Sequence, residues 1–184
     1  GGGTPQGGPL SPFLANIYLD EVDRELEARG HAFVRYADDL RVLVRSQRAG
    51  ERVMRWLVKR FEKLRLKVNE SKSTVTKVYE RPFLGFTLRV HSKGRIRIGV
   101  ASKSLAVLKE NVRQKTRRTG GRSVEQVIEK LKSSLNGWWS YYGFTEEPWE
   151  LRGVQAWIRR RVRCLILYQY KNPRRAYKEL RGLG

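Results

Sequence analysis

Apolar positions along the chain change period several times, and each change marks an element. After a glycine-rich opening at residues 1–8, Phe13, Leu14, Ile17, Tyr18, Val22 and Leu26 recur at helical spacing. Ser11-Pro12 supplies a capping residue and a proline for the first turn, and Gly30 ends the helix. From 32 to 45 the period shortens. Phe33, Val34 and Tyr36 precede Asp38-Asp39, and Leu40, Val42, Leu43 and Val44 follow, which predicts a β-hairpin closed by two acids. Helical spacing returns over 50–64 with Val53, Trp56, Leu57, Phe61 and Leu64. A short strand is expected on either side of Asn69-Glu70-Ser71-Lys72. A second hairpin pairs residues 83–88 with 95–100 around Ser92-Lys93-Gly94.

Beyond residue 102 the strand pattern stops. Helices are expected near 102–117, 123–143 and 149–170, with a short one near 173–181. Arg117 to Arg122 forms a loop, and Ser123 with Gln126 makes a capping box for the next helix. The fold class is therefore α+β: an α+β part over 1–100 followed by an all-α part of about three helices over 101–184.

Charge adds a partner to this outline. The 184 residues carry 39 Lys and Arg against 18 Asp and Glu, a formal charge of +21. Such a field attracts polyanions, and nucleic acid is the first candidate. The second half is the more basic, and the first half holds more of the acids. No apolar run reaches the roughly 18 residues needed to span a bilayer, so no membrane partner is expected. The opening residues have neither the basic nor the apolar region of a signal peptide. Cys164 is the single cysteine, which excludes an internal disulfide and a cysteine-built zinc cluster. It fits a reducing cytoplasm, and its apolar neighbours predict core packing.

Phosphoryl transfer on a polynucleotide uses divalent ions held by converging carboxylates, because hard cations need hard oxygen ligands. Asp38-Asp39, between two apolar strands in so basic a chain, is the one candidate pair. Two aspartates also suit a plain hairpin turn, so the pair alone leaves both readings open.

The order of segments is more specific than any one of them. Pro5-Gln6-Gly7-Gly8-Pro9-Leu10-Ser11-Pro12 opens a helix, and Tyr36-Ala37-Asp38-Asp39 follows in a hairpin. Next come Leu66-Lys67-Val68-Asn69-Glu70-Ser71-Lys72-Ser73 and Phe83-Leu84-Gly85-Phe86. This succession resembles the reverse-transcriptase palm from its fourth conserved block onward, especially in group II intron and related bacterial enzymes. Leu135-Asn136-Gly137-Trp138-Trp139-Ser140-Tyr141-Tyr142 and the basic helix around Arg159-Arg160-Arg161 resemble the maturase-specific thumb, or X, domain.

The resemblance implies an RNA-directed DNA polymerase that binds intron RNA, an RNA template, a DNA primer and a deoxynucleoside triphosphate in a bacterial cytoplasm. Asp38 and Asp39 would ligate Mg²⁺, with Mn²⁺ as a substitute, Asp38 being the more direct ligand. Tyr36 and Ala37 would lie under the primer end, and Gln6, Gly7 and Gly8 along the template and nucleotide. Lys72 would lie near the triphosphate, or be an ordinary solvated lysine. Leu84 and Gly85 match the primer grip, or simply pack their hairpin, or both. Arg152, Arg159 and Arg163 share one helical face and, with Arg160, would meet RNA phosphates; a solvated basic face is the alternative. Trp138, Trp139, Tyr141 and Tyr142 could stack on bases, with core packing expected for most.

A complete palm has a further metal-binding Asp on a strand upstream of the Gln-Gly-Gly block, and these residues do not include it. The chain alone is therefore expected not to polymerise. It is expected to associate with an N-terminal fingers and palm segment, or with itself through an open sheet edge. A non-catalytic RNA-binding splicing cofactor and an oligomerising structural module are the competing readings.

Overall fold

The computed structural model describes residues 11–69, 71–117, 121–170, 172, 174, 177, 178 and 181. The chain divides into two compact units, Gly1–Val78 and Tyr79–Gly184. The architecture is α+β, as the periodicity predicts: five helices and two small antiparallel hairpins among the described residues.

In the first unit, α1 (Ser11–Ala28) leads to the hairpin of β1 (Ala32–Tyr36) and β2 (Asp39–Leu43), and α2 (Gln47–Lys63) follows. The register runs from Ala32 opposite Leu43 to Tyr36 opposite Asp39, leaving Ala37 and Asp38 as the two-residue turn. Ser46 caps α2 by accepting a hydrogen bond from the Ala49 amide at 3.2 Å. The core joins Val22 and Leu26 of α1 to Leu57 of α2, with Phe33, Leu40, Val42, Val53, Trp56, Phe61 and Leu64 packed around them. This is the apolar face read from α2. The face read from α1 is only half used. Val22 and Leu26 are buried, whereas Phe13, Leu14, Ile17 and Tyr18 on its first turns are exposed.

The strands expected beside Asn69 do not form. No described residue between 65 and 79 is in a strand. Asn69 instead builds a turn, its side-chain oxygen accepting from Ser71 Oγ at 2.7 Å and from the Lys72 amide at 3.2 Å. A short side chain that bonds the backbone two or three residues ahead competes with a strand ladder and wins here.

In the second unit, β3 (Phe86–Val90) pairs with β4 (Ile96–Val100), and α3 (Ser102–Lys115), α4 (Val124–Tyr142) and α5 (Pro148–Gln169) follow. The ladder begins three residues later than expected. Phe83 instead exchanges backbone hydrogen bonds with Phe86 across a tight turn at Leu84-Gly85. Both turn residues have positive φ, 50° and 81°. The Ser123–Gln126 capping box starts α4. Leu108 and Val112 of α3, Val127 and Leu131 of α4, and Val154 and Leu165 of α5 form the core, with Ile158 and Val162 against it. Cys164 is exposed, against the expectation of core packing: it lies one step off the buried Leu165–Ile166 stripe. Most of the expected final helix near 173–181 lies outside the described residues.

Candidate functional site

The Asp38-Asp39 turn is held by an arginine that the sequence reading did not single out. Strand β1 alternates, so Phe33 and Arg35 face inward while Val34 and Tyr36 face out. Arg35 meets Asp23 of α1 with a forked contact: Nε lies 3.0 and 2.9 Å from the two carboxylate oxygens, and the terminal nitrogen 2.5 Å from one of them. Its other terminal nitrogen donates to Asn16 Oδ1 at 2.8 Å and to the Ala37 carbonyl at 3.0 Å. Arg35 is 13% exposed and Asp23 20%. The hydrogen bond to Asp23 raises the Arg35 pKa, burial opposes this, and the charges of Asp23 and Asp20 add to the rise. So α1 is tied through one guanidinium to the backbone of the turn. Ala37 sits there at a φ of 53°, a left-handed conformation an alanine does not adopt without support. The legible signal was an arginine at an inward position of a strand next to two acids.

Four of the five acids of α1 are spent on arginines. Asp20 pairs with Arg24, Asp23 with Arg35, and Glu21 and Glu25 with Arg60. Asp38 and Asp39 are exposed and enter no salt bridge among the described residues. In a chain with 39 basic residues, two adjacent carboxylates left open are available to a cation. Tyr36, 63% exposed, stands opposite Asp39 in the ladder. Thus Tyr36, Ala37, Asp38 and Asp39 come together in one turn. Lys72 is exposed in the Asn69 turn of the same unit. Gln6, Gly7 and Gly8 lie outside the described residues.

The donor set fits part of a metal centre. Two hard, exposed carboxylates can ligate a divalent ion, but no group of three or more His, Cys, Asp or Glu among the described residues is placed to hold one. A complete two-ion centre needs ligands beyond these, and no step is derived through one.

In the second unit, Leu84 and Gly85 are fixed by aromatic residues of α4. Tyr141 donates its hydroxyl to the Leu84 carbonyl at 3.0 Å. The Gly85 carbonyl accepts from the Ala101 amide at 2.9 Å and from Ser104 Oγ at 3.2 Å, and the Tyr142 hydroxyl donates to that same Ser104 Oγ at 3.2 Å. Phe86 packs on Tyr141, Tyr142 and Phe144. Of the four aromatics expected mostly to pack, Trp138 and Tyr142 stack on each other at 4.5 Å, while Trp139 and Tyr141 are about half exposed, at 56% and 47%. Arg152, Arg159, Arg160 and Arg163 are all exposed along α5. Arg161, on the inner side, instead donates to the buried Thr116 hydroxyl at 2.9 Å and lies over Trp157. No helix among the described residues is long and apolar enough to cross a membrane.

Two family profiles match the chain. A family profile described as reverse transcriptase (RNA-dependent DNA polymerase) matches residues 2–88. A second, described as the group II intron maturase-specific domain, matches residues 105–184. Among curated proteins no match was found. The first match places residues 2–88 with the RNA-directed DNA polymerases at the level of the family, a class that acts on nucleic acid and uses divalent metal ions. With both matches in this order, the chain belongs to the group II intron reverse transcriptase and maturase family.

Proposed function

We propose that the Tyr36–Asp39 turn is the metal-binding hairpin of the polymerase, that Asp38 and Asp39 ligate Mg²⁺, and that Mn²⁺ can replace it. The observation that carries this is the open carboxylate pair, braced by Arg35, beside a helix four of whose acids are paired with arginines. On this reading Tyr36 and Ala37 lie beneath the end of a DNA primer, and Gln6, Gly7, Gly8 and Lys72 serve the template and the deoxynucleoside triphosphate. Leu84 and Gly85 grip the primer. Arg152, Arg159, Arg160 and Arg163 meet intron or template RNA. The palm part then covers residues 1–100 and the maturase-type helical part 101–184. The setting is the bacterial cytoplasm.

The 184-residue polypeptide on its own is proposed to bind RNA without polymerising. Two carboxylates are too few for two ions. The exposed Phe13, Ile17, Val34, Tyr36 and Leu43 support association with further polypeptide, either a fingers and palm segment or a second copy. The same shortage of carboxylates favours, as the second reading, a non-catalytic RNA-binding splicing cofactor.

The test has two arms. Mn²⁺ binding to the 184-residue chain, followed by electron paramagnetic resonance, should be lost in Asp38→Asn/Asp39→Asn; Mn²⁺ binding that survives both substitutions refutes the metal hairpin. Primer extension on an RNA template should be absent with this chain alone and appear on adding a fingers and palm segment. Extension without that addition refutes the claim of inactivity. No extension in either case, with RNA tightly bound, selects the cofactor reading.

A further inference from the structure

Away from the Leu84-Gly85 turn, the second unit carries a hollow of about 290 Å³ lined by His91, Ser92, Arg95, Arg97 and Trp149. Its floor is an ion cluster. Glu147 is fully buried, with one carboxylate oxygen 2.5 Å from His91 Nε2 and the other 3.1 Å from Arg89 Nε. Arg89 also reaches Glu150 at 2.6 Å. Glu146 turns its carboxylate back to accept the Ile98 amide at 2.8 Å. Glu147 and Glu150 are thereby engaged by His91 and Arg89, and the exposed Glu146 by the Ile98 amide. Arg95 and Arg97 enter no salt bridge among the described residues, and Arg95 is exposed.

Above this floor stands Trp149, 45% exposed. Arg97 lies over its ring at 5.7 Å from the centroid. His91 meets it edge-on at 5.9 Å and 82°. The indole is thus held from two sides while nearly half its surface remains open to solvent. An indole with nearly half its surface open, beside guanidinium groups that enter no salt bridge among the described residues, is what a nucleobase and its phosphate require together. A base paired within a duplex has no free face to offer, so the ligand must be unpaired.

We infer that this hollow binds one unpaired nucleotide of a single-stranded polynucleotide, with the base stacked on Trp149 and the adjoining phosphates at Arg95 and Arg97. The inference rests on the RNA-binding reading above and gives it a second contact, on the β3–β4 hairpin and the first turn of α5, apart from the arginines further along that helix. RNA and DNA strands share this chemistry, and parallel oligomers of each separate the two sources.

The experiment uses the 184-residue chain and short labelled oligomers at one fixed salt concentration, read by fluorescence anisotropy. Trp149→Ala should weaken single-stranded RNA binding about 5- to 150-fold, the range for losing one stacked base, and leave duplex RNA binding unchanged. Trp149→Phe should restore most of the affinity. A single-stranded RNA carrying 5-iodouridine should crosslink under ultraviolet light to Trp149 of the unaltered chain, a readout independent of how well any variant folds. Single-stranded affinity of Trp149→Ala within about twofold of the parent, or duplex binding weakened equally, overturns the site while leaving RNA binding intact. Absence of crosslinking at Trp149 does the same. Failure of the parent to bind any RNA overturns both this site and the reading it rests on. Tighter binding of the DNA oligomer assigns the site to a DNA strand; tighter binding of the RNA assigns it to RNA.

Discussion

Arg35→Ala removes one side chain and unties three groups. Asp23 loses its forked partner, Asn16 loses a donor, and the Ala37 carbonyl loses the hydrogen bond that steadies its left-handed backbone. Two limits bracket the cost. A fully exposed ion pair is worth about 0–1 kcal/mol, and stripping one partner from a buried pair costs about 3–5 kcal/mol. With Arg35 at 13% exposure and Asp23 at 20%, the pair lies nearer the buried limit, but water still reaches it. Discounted for that access, the expected loss is about 2 kcal/mol, which raises the local opening constant about 30-fold. Amide hydrogen exchange read by mass spectrometry over residues 32–43 measures that constant directly, since exchange there proceeds through local opening. The companion variant Asp23→Ala closes a double-mutant cycle, and a coupling of about 1–2 kcal/mol is expected. The raised pKa of Arg35 fixes the pH dependence. A base whose pKa is raised on folding stabilises at every pH below its unfolded value and ceases to do so only as pH rises through the folded one. For an arginine that window lies above any neutral buffer, so the Arg35 contribution should be flat from about pH 6 to 9. Unchanged exchange in the hairpin, or additive single variants, refutes the claim that α1 braces the turn.

Three further substitutions test the second unit. Gly85→Ala forces a side chain onto a φ of 81° and drives it against Ser104 Oγ, 2.9 Å from the new carbon. A loss of about 2–3 kcal/mol in urea unfolding is expected, and a loss under about 0.5 kcal/mol contradicts the geometry. Gly99→Ala places its carbon 2.8 Å from Glu147 Oε2 and 3.2 Å from Arg89 Nε, so it should displace the buried cluster and cost about 1–3 kcal/mol; a crystal structure with the cluster unmoved refutes this. Ser123→Ala breaks the capping box of α4 and should cost about 1 kcal/mol. The Ser123 hydroxyl is also the main cause of the lowered Glu125 pKa, ahead of the Glu125 backbone amide. In a titration followed by nuclear magnetic resonance, the Glu125 midpoint should therefore rise toward the ordinary carboxylate range in this variant, and an unmoved midpoint assigns the shift elsewhere.

Local signals were legible where one period held over a whole element. α2 buried the stripe its apolar spacing marked, and the first hairpin fell where the period shortened. The expectations that failed depended on partners the local pattern does not name. Phe13, Leu14, Ile17 and Tyr18 have helical spacing yet stay exposed, because spacing places residues on one face without saying what meets that face. The strands around residue 69 gave way to a side-chain turn. The Asp38-Asp39 pair was legible as a motif, but its brace was not. The contact between Asp23 and Arg35 spans 12 residues and joins a helix to a strand. The cluster beneath Trp149 joins residues 56 positions apart, His91 and Glu147, and no window of sequence contains both.

The two units solve the same electrostatic problem in opposite ways. A chain this basic repels itself, and its few acids are the means of holding arginines in fixed places. In the first unit Asp23 and Arg35 are matched while the neighbouring Asp38 and Asp39 stay open, as the proposed metal hairpin requires. In the second unit Glu147 and Glu150 take up Arg89 and His91 beneath the surface, and what stays open above them is Arg95, Arg97 and an indole. One arrangement leaves negative charge exposed, and the other leaves positive charge beside an aromatic face. A polymerase needs both, carboxylates for the metal and cations with stacking surfaces for the strand. Each group therefore depends on a buried partner pair for its freedom. Loss of Arg35 should impair Mn²⁺ binding at the turn without touching oligomer binding at Trp149, and disruption of Glu147 should do the reverse. If either change impaired both ligands equally, the two sites would not be independently braced.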